Sequence, residues 1–381
     1  MNDFSFISPV KIDFGAGKAQ TLSAYLPKET QKVMLLHGRS LAKKTIFDTI
    51  QAGLCPATIF AYQVDAGEPS PESVDTAAEF AQSSGVDAIV GIGGGSVLDT
   101  AKAVAALAVN DGSVMDYLEG MGAGKKLKSQ PLFFVAVPTT SGTGTEVTKN
   151  AVISSQEQGF KVSMRDDRMI ADVAVLDPDL TRNMPKAVLA ASGMDAICQL
   201  IEAYTTKNTN SITDALALHH TILAFDALEA VFDTDDADAR VTLAVSAMVS
   251  GLCLANAGLG VAHGLAAGLG AHTPIPHGAA CGILLPKAIR FNLQKGVTKY
   301  KAIGEALANK KISDADEACQ VVINRVEKLN KKLGLPNNLK SFELSKEDIP
   351  TIAKASMGSS MKKNPAEVSL QDAIDILKSM V

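Results

Sequence analysis

The stretch "VDAIVGIGGGSVLDTAKAVAALAVN", residues 86–110, indicates the fold class most clearly. Its apolar run ends at Ile92, three glycines follow, and Ser96 opens a segment with helical periodicity. A continuous apolar strand that leads through a tight turn into a helix is the repeating unit of a parallel sheet covered on both faces. We therefore predict a strand, a turn and a helix of this kind here.

The same alternation continues on both sides of this stretch and stops near residue 182. The further elements predicted in the first half are strands at 31–38, at 57–65 and from residue 131, and a helix at 70–85. Long helical runs follow after residue 182. The predicted architecture is an α/β dinucleotide-binding domain with a parallel sheet over residues 1–182 and an all-helical metal and substrate domain over residues 183–381. Within the second domain, the Gly- and Ala-rich segment 251–271 is predicted to be one buried helix.

Composition limits the classes of function. The chain carries a formal net charge of −5 and no stripe of Lys and Arg interleaved with aromatic residues, so we predict no nucleic-acid partner. No apolar segment has the length in large side chains that a membrane span needs, so no membrane partner is predicted. The five cysteines are odd in number and lack CxxC spacing, which indicates reduced thiols and a cytoplasmic location.

The glycine turn is the first chemical signal. Gly94 and Gly95 allow the backbone to approach a ligand closely, and the free N–H groups where the helix starts at Ser96 favour a phosphate. The turn does not have GxGxxG spacing, so it is also explained by a tight strand-to-helix connection with Ser96 as the N-cap.

Two other turns follow predicted strands. The segment "VPTTSGTGTEVT" (137–148) offers hydroxyl groups that suit a ribose and a nicotinamide, and it is equally typical of a Thr-rich loop. In "LLHGRS" (35–40) the turn offers Gly38, Arg39 and Ser40 and no acid. An acid would repel a 2′-phosphate, whereas an arginine and a hydroxyl favour it, so we predict that NADP(H) is preferred over NAD(H). The alternative is that Arg39 faces solvent.

A possible metal site comes from the second half of the chain. Asp195 lies in one predicted helix, and His263 and His277 lie in the region 258–286. Two imidazoles and a carboxylate with an open position suit a catalytic divalent metal, although a single helix histidine is more often a packed core residue. The adjacent His219 and His220 are assigned to packing or to the surface.

Five motifs together resemble the iron-containing (group III) alcohol dehydrogenase family, which has the dehydroquinate synthase-like fold. The motifs are "GIGGGSVLDTAK", "PTTSGTGTEVTKNAVI", "DVAVLDPDLT", "SGMDAICQLIEAY" and "GLGVAHGLAAGLGAHTPIPHG". The similarity extends from about residue 9 to "KKNPAEVSLQDAI" near the C-terminus, so it covers nearly the whole chain.

This resemblance implies an NAD(P)-dependent alcohol dehydrogenase, or an aldehyde or ketone reductase, in which a divalent metal polarises the substrate oxygen. The implied partner is a small alcohol or aldehyde, and the implied assembly is a homodimer or a larger homo-oligomer. The cofactor-binding residues implied in addition to the turn Gly38, Arg39 and Ser40 are Gly94, Gly95, Ser96, Asp99, Thr139, Thr140, Thr148, Lys161 and Leu180. The implied metal positions are Asp195, Gln199, His263 and His277.

Three departures from the family pattern shape the prediction. Position 199 is usually histidine and here is Gln199, position 267 is often histidine and here is Ala267, and the usual acid is replaced by Gly38. Asp195 with two histidines still resembles the zinc site of the glycerol dehydrogenases, so we expect zinc rather than iron, with Gln199 orienting water or substrate. The catalytic candidates are the ligand His277 and, as the proton relay, His272.

Because Gln199 replaces the usual histidine ligand, other functions are also compatible with the sequence. One alternative is a metal-independent carbonyl reductase of the same fold, in which hydrogen-bond donors activate the carbonyl. Another is a lyase of the dehydroquinate synthase type, which regenerates its NAD. A third is a protein that binds the cofactor without catalysis.

Overall fold

The computed structural model describes residues 3–43, 45–342 and 344–381. The strands are β1 (Lys11–Phe14), β2 (Lys32–Gly38), β3 (Thr58–Val64), β4 (Ala88–Gly93), β5 (Phe133–Pro138), β6 (Asn150–Ser155), β7 (Phe160–Arg165) and β8 (Val173–Leu176). The α-helices are α1 (Arg39–Ala42), α2 (Ile46–Ala52), α3 (Pro71–Ser84), α4 (Gly95–Leu107), α5 (Lys186–Thr205), α6 (Ser211–Thr234), α7 (Ala237–Ala257), α8 (Val261–His272), α9 (His277–Gln294), α10 (Tyr300–Ala308), α11 (Ala315–Leu333), α12 (Ile349–Ala355), α13 (Ser359–Lys363) and α14 (Leu370–Lys378).

The described residues form two compact units. One consists of Ile7–Thr140 and Gly144–Arg182 and contains every strand given above. The other consists of Asn183–Val381, the described residues among the first six, and Ser141–Thr143. The three residues Ser141–Thr143 therefore group with the helical unit, although they follow strand β5 in the chain.

The α/β unit is built on a six-stranded sheet in the order β1-β8-β5-β4-β2-β3, with every neighbouring pair parallel. All six residues of β4 are buried, as the continuous apolar run predicts for a strand covered on both faces. Helix α3 has Ser70 as its N-cap, in a capping box, and Gly85 as its C-cap, with a φ of +61° that suits a glycine. The predicted fold class, a parallel α/β domain followed by helices, is confirmed.

A two-stranded antiparallel hairpin, β6 with β7, was not predicted. Its strands flank the turn "QEQG" (156–159), and Gly159 has a φ of +67° that favours glycine. The strands are short and interrupted by polar residues, so their alternation is too weak to stand out in the sequence. Strand β6 of the hairpin packs on α4.

Helix α5 lies at the centre of the helical unit and packs against α6, α7 and α9. Every residue from Gly193 to Thr205 is buried, so this segment has no solvent-facing side. Its polar side chains Asp195, Gln199 and Glu202 must therefore find partners inside the protein, because an unpaired buried polar group is costly.

The prediction of one helix over residues 251–271 is wrong. Helix α7 ends at Ala257, Gly258 takes a φ of +83°, and α8 begins at Val261. The break is stabilised by the buried carboxylate of Glu202, which accepts N–H groups from Gly260 (3.0 Å) and Ala262 (2.7 Å). An acid at the positive end of a helix dipole is favourable, so Glu202 fixes where α8 starts.

Helices α6 and α7 are long and apolar enough, by length and composition alone, to cross a membrane. They pack instead against each other and against α5. The outer side of α6 carries Asp226 and Glu229, which form ion pairs of 3.0 Å and 2.7 Å with Arg325. Helix α6 thus pairs charged side chains with Arg325 and packs other residues against α5 and α7.

Candidate metal centre and cofactor turn

Three helices of the helical unit bring a carboxylate and two imidazoles together. Asp195 comes from α5, His263 from the first turn of α8, and His277 from the first residue of α9. The Asp195 Oδ1 atom lies 3.1 Å from His263 Nε2 and 3.9 Å from His277 Nε2. Oxygen and nitrogen ligands of a tetrahedral zinc ion are separated by about 3.4 Å, given bond lengths of about 2.0–2.2 Å. The three atoms therefore have the spacing of a metal-ligand set.

Glu202 orients the His263 ring by binding its Nδ1 atom, the nitrogen that faces away from Asp195. Its Oε2 atom lies 2.7 Å from His263 Nδ1, so the Nδ1–H donates to this carboxylate and Nε2 is the nitrogen that faces Asp195. A carboxylate that holds the far nitrogen of a histidine is the usual support for a metal-bound imidazole. Glu202 was not among the predicted site residues, although its position seven residues after Asp195 places both on the same face of α5.

Gln199 is held in one orientation by its hydrogen bonds. Its Nε2 donates to Asp195 Oδ2 (3.1 Å) and to the Thr143 carbonyl (3.4 Å), while its Oε1 accepts from the Ser250 hydroxyl (2.7 Å). Turning the amide over would place its oxygen against two acceptors, so this orientation follows from the partners. Gln199 thus presents a donor, and not its carbonyl oxygen, to the Asp195 carboxylate.

Two buried thiols border the cluster. Cys281 Sγ lies 3.7 Å from His277 Nε2, and Cys198 Sγ lies 3.6 Å from His263 Nδ1. Burial raises the pKa of Cys198 well above its ordinary value, so this side chain stays a thiol and can donate to the sulfur of Cys281. Burial by itself lowers the pKa of His263, but its contacts with Cys281, Asp195 and Glu202 raise it well above the usual value.

The donor set fits a divalent metal. Ligand atoms of Asp195, His263, His277 and Cys281 all lie within 4.8 Å of one another. Three of these residues are buried, and His277 keeps a side-chain exposure of 25%, which leaves one side open. Carboxylate, imidazole and thiol are all ligands of zinc and of other first-row metals.

The structure does not bring His272 to this cluster. It is the last residue of α8, is exposed, and follows His263 by nine residues in the same helix. Nine residues at 3.6 per turn place the two histidines on opposite faces and about 13 Å apart along the helix axis. The helix geometry gives His272 no direct route to the metal ligands. His219 is exposed and His220 bonds Ser246 at 3.1 Å, as expected for surface and packing residues.

In the α/β unit, the three predicted cofactor turns follow adjacent parallel strands. Strand β4 pairs with β2 on one side and with β5 on the other, so Gly38, Gly94 and Thr139 begin turns at one carboxyl edge. Ligands of open parallel sheets bind at this edge. The N-cap of α4 is Gly94 and not the predicted Ser96, which is the second residue of the helix. A Cβ atom at Gly94 would lie 3.3 Å from Thr140 Cγ2. The strands thus align Gly94–Ser96 with Thr139 and Thr140.

The turn after β2 has an ordinary backbone and open surroundings. Gly38 has φ −82° and ψ 157°, and a Cβ atom there would meet only Val97 Cγ2, at an ordinary 3.5 Å. Nothing in this geometry requires glycine. Arg39 and Ser40 are exposed, and Arg39 forms no ion pair within residues 3–43, 45–342 and 344–381.

The remaining cofactor candidates are engaged inside the unit. Thr148 is buried and accepts a 3.0 Å bond from Lys102 Nζ, which also donates to the carbonyls of Thr145 (2.8 Å) and Asn150 (2.9 Å). Burial raises the pKa of the neighbouring Asp99 to about 7 and lowers that of Lys102 to about 8.

These bonds tie α4 to the Thr-rich loop and to β6. A lysine within the apolar periodicity of a helix is the sequence signal for these bonds, and Lys102 was not among the predicted site residues. Lys161 pairs with Glu68 at 2.7 Å, and Leu180 packs in the apolar core beneath the sheet.

Comparisons with known proteins agree with this geometry. The model of the iron-containing alcohol dehydrogenase family matches residues 9–178, and that of the C-terminal part of the Fe-containing alcohol dehydrogenase family matches residues 189–381. Alcohol dehydrogenase 4 of Saccharomyces cerevisiae is 32% identical over 98% of this chain and 97% of its own length. Lactaldehyde reductase of Escherichia coli is 36% identical over 77% of each chain. A crystal structure of 1,3-propanediol oxidoreductase superposes with a TM-score of 0.93, 26% identity and full coverage of both chains.

Proposed function

Because this chain belongs to the iron-containing alcohol dehydrogenase family, we propose that it reduces small aldehydes with NADPH at a zinc site held by Asp195, His263 and His277. Members of this family are oxidoreductases that act on CH–OH groups with NAD(H) or NADP(H) and a divalent metal. When bound, the metal would supply Lewis-acid polarisation of the substrate oxygen, and the nicotinamide would supply the hydride. The reverse reaction, alcohol oxidation, uses the same groups.

The protein's own residues prepare the site for this chemistry. Glu202 fixes the tautomer and the ring plane of His263, so that Nε2 and not Nδ1 faces Asp195. Gln199 anchors the second oxygen of Asp195, which leaves Oδ1 to the two imidazoles. With each ligand held by a neighbour, little reorganisation is needed when the metal or the substrate binds.

The cofactor preference rests on the turn after β2. Position 38 lacks an acid, and Arg39 and Ser40 stand exposed next to it. A 2′-phosphate would meet an arginine and a hydroxyl here. Because position 38 is a glycine, it offers no carboxylate to repel the phosphate. We therefore propose NADPH as the preferred reductant, with the pyrophosphate on Gly94, Gly95 and Ser96.

The single observation that carries the proposal is the convergence of three ligand atoms on separate helices. Asp195 Oδ1, His263 Nε2 and His277 Nε2 meet in the interior of the helical unit, and a buried carboxylate supports one of them from behind. Glu202 also caps the start of α8, where it accepts the N–H groups of Gly260 and Ala262. The approach of one Asp195 oxygen to the Nε2 atoms of two imidazoles is the arrangement that a metal ion would hold together.

Steady-state turnover tests the proposal. With zinc-loaded protein and a panel of short, branched and hydroxylated aldehydes, we expect NADPH to be consumed over many turnovers and faster than NADH. A lyase that regenerates its cofactor would show no net consumption, and a cofactor-binding protein without catalysis would bind NADPH and leave every aldehyde unchanged. Either result would contradict the proposed function.

Replacing Glu202 with glutamine is expected to weaken zinc binding by about 10- to 100-fold, the usual effect of losing the carboxylate behind a metal-bound histidine. The amide has the same shape but cannot accept from His263 and from three backbone N–H groups with a full negative charge. Competition with a chromophoric chelator measures the affinity. Glu327→Gln, which removes a surface carboxylate paired with Arg290 at 3.0 Å, is the control and should leave the affinity unchanged.

A further inference from the structure

Cys281 is a potential ligand that the proposed three-residue site does not use. It lies one helical turn after His277 in α9 and is fully buried. Its sulfur belongs to the set of ligand atoms, with those of Asp195, His263 and His277, that all lie within 4.8 Å of one another. A buried thiol has no need of three metal-binding neighbours in order to pack.

We propose that Cys281 is the fourth protein ligand of the metal, which makes the centre an Asp-His-His-Cys zinc site. This inference rests on the proposed function, because it concerns the same metal. It assigns to Cys281 the coordination place that the amide of Gln199 leaves open.

The distances support a sulfur ligand. A sulfur at about 2.3 Å and a nitrogen at about 2.05 Å from a tetrahedral zinc ion are separated by about 3.6 Å. Cys281 Sγ and His277 Nε2 are 3.7 Å apart. The i, i+4 spacing of the two residues places both side chains on one face of α9, so a single helix can supply both ligands without distortion.

The other two nearby candidates are excluded by their contacts. The Gln199 oxygen accepts from Ser250, and its nitrogen faces Asp195, so the amide would have to break three hydrogen bonds to bind a cation. Cys198 lies against Nδ1 of His263, on the side that Glu202 occupies, and not against the Nε2 side where the ligands meet.

A thiolate ligand changes the choice of metal. A coordinated cysteine is deprotonated outright and is a soft ligand, which favours zinc over ferrous iron in a site that has lost one imidazole. Zinc can expand to five ligands during catalysis, so a fourth protein ligand does not exclude the substrate oxygen. In this proposal, the Cys281 thiolate replaces the imidazole ligand that is lost because residue 199 is a glutamine.

X-ray absorption at the zinc edge tests the inference on the unaltered protein. With one zinc bound per chain, we expect one sulfur scatterer at about 2.3 Å among nitrogen and oxygen neighbours. Zinc bound by nitrogen and oxygen alone would overturn the role of Cys281 and leave the proposed function standing. A protein that binds no zinc would overturn both.

Cobalt substitution identifies which sulfur binds. Co²⁺ in place of zinc should show a sulfur-to-cobalt charge-transfer absorption in the near ultraviolet, which Cys281→Ser removes while the visible cobalt bands persist. Cys198→Ser, which alters the adjacent buried thiol, and Cys253→Ser, which alters a buried thiol that bonds the Thr213 carbonyl, should both retain it. Loss of the band in Cys198→Ser with its retention in Cys281→Ser would contradict the proposal.

Discussion

Replacing Asp195 with asparagine is expected to remove the bound metal and to lower kcat/KM for aldehyde reduction by about a thousandfold. Asp195 is the carboxylate that both His263 and His277 face, and asparagine keeps its shape without its charge. Metal polarisation of the substrate oxygen is worth several kcal/mol, and about 4 kcal/mol corresponds to a factor of about a thousand in rate. Elemental mass spectrometry and NADPH oxidation measure the two effects on the same sample.

The control is Asp226→Asn, which neutralises a carboxylate on α6 that is 81% exposed and paired with Arg325. It should retain both metal and activity. If Asp195→Asn keeps its metal, or loses its metal and still turns over at the original rate, then Asp195 is not a ligand of a catalytic ion. Circular dichroism on each variant separates loss of the site from loss of the fold.

Replacing Gly38 with aspartate is expected to shift the ratio of kcat/KM for NADPH to that for NADH by about 10- to 100-fold in favour of NADH. The position has an extended backbone with room for a Cβ atom, so the new side chain should be accommodated without strain. Hydrogen bonds to a charged group are worth about 1.5–3 kcal/mol, which corresponds to this range. The carboxylate would accept from the ribose hydroxyls of NADH and repel the 2′-phosphate of NADPH.

Gly38→Asn is the matched control, because it adds nearly the same volume without the charge. It should change the preference much less than aspartate does. The Arg39→Ala variant should bind NADPH more weakly and should bind NADH no more tightly than the wild type does. A wild-type protein that binds NADH much more tightly than NADPH, or an Arg39→Ala variant with an unchanged preference, would refute the proposed cofactor.

Much of the fold was predictable, because buried parallel strands and amphipathic helices have strong periodic signals. The strand at β4, the glycine turn and helix α4 lie where residues 86–110 indicated. The hairpin of β6 and β7 was missed because its strands are short and partly polar. The break between α7 and α8 was missed because it depends on Glu202, a residue 58 positions away from Gly260.

The candidate site also contains features that depend on contacts between residues distant in sequence. Sequence spacing and family resemblance indicated Asp195, His263 and His277, and the structure places their ligand atoms together. The orientation of the Gln199 amide follows from Ser250 and Thr143, which lie on other segments, so no local pattern predicts it. Glu202 shares a face of α5 with Asp195, and Cys281 shares a face of α9 with His277, but their contacts with His263 and with the other ligand atoms cross between helices and depend on packing.

Zinc-dependent aldehyde reduction is tested most directly by the metal content of protein purified without a metal-affinity tag. Elemental mass spectrometry measures this content, together with NADPH-dependent aldehyde reduction before and after chelation. We predict close to one zinc ion per chain, activity lost on chelation, and activity restored when zinc is returned. Protein that carries no metal and reduces aldehydes equally well in the presence of chelator would contradict a zinc-dependent mechanism, and would require another group to activate the carbonyl.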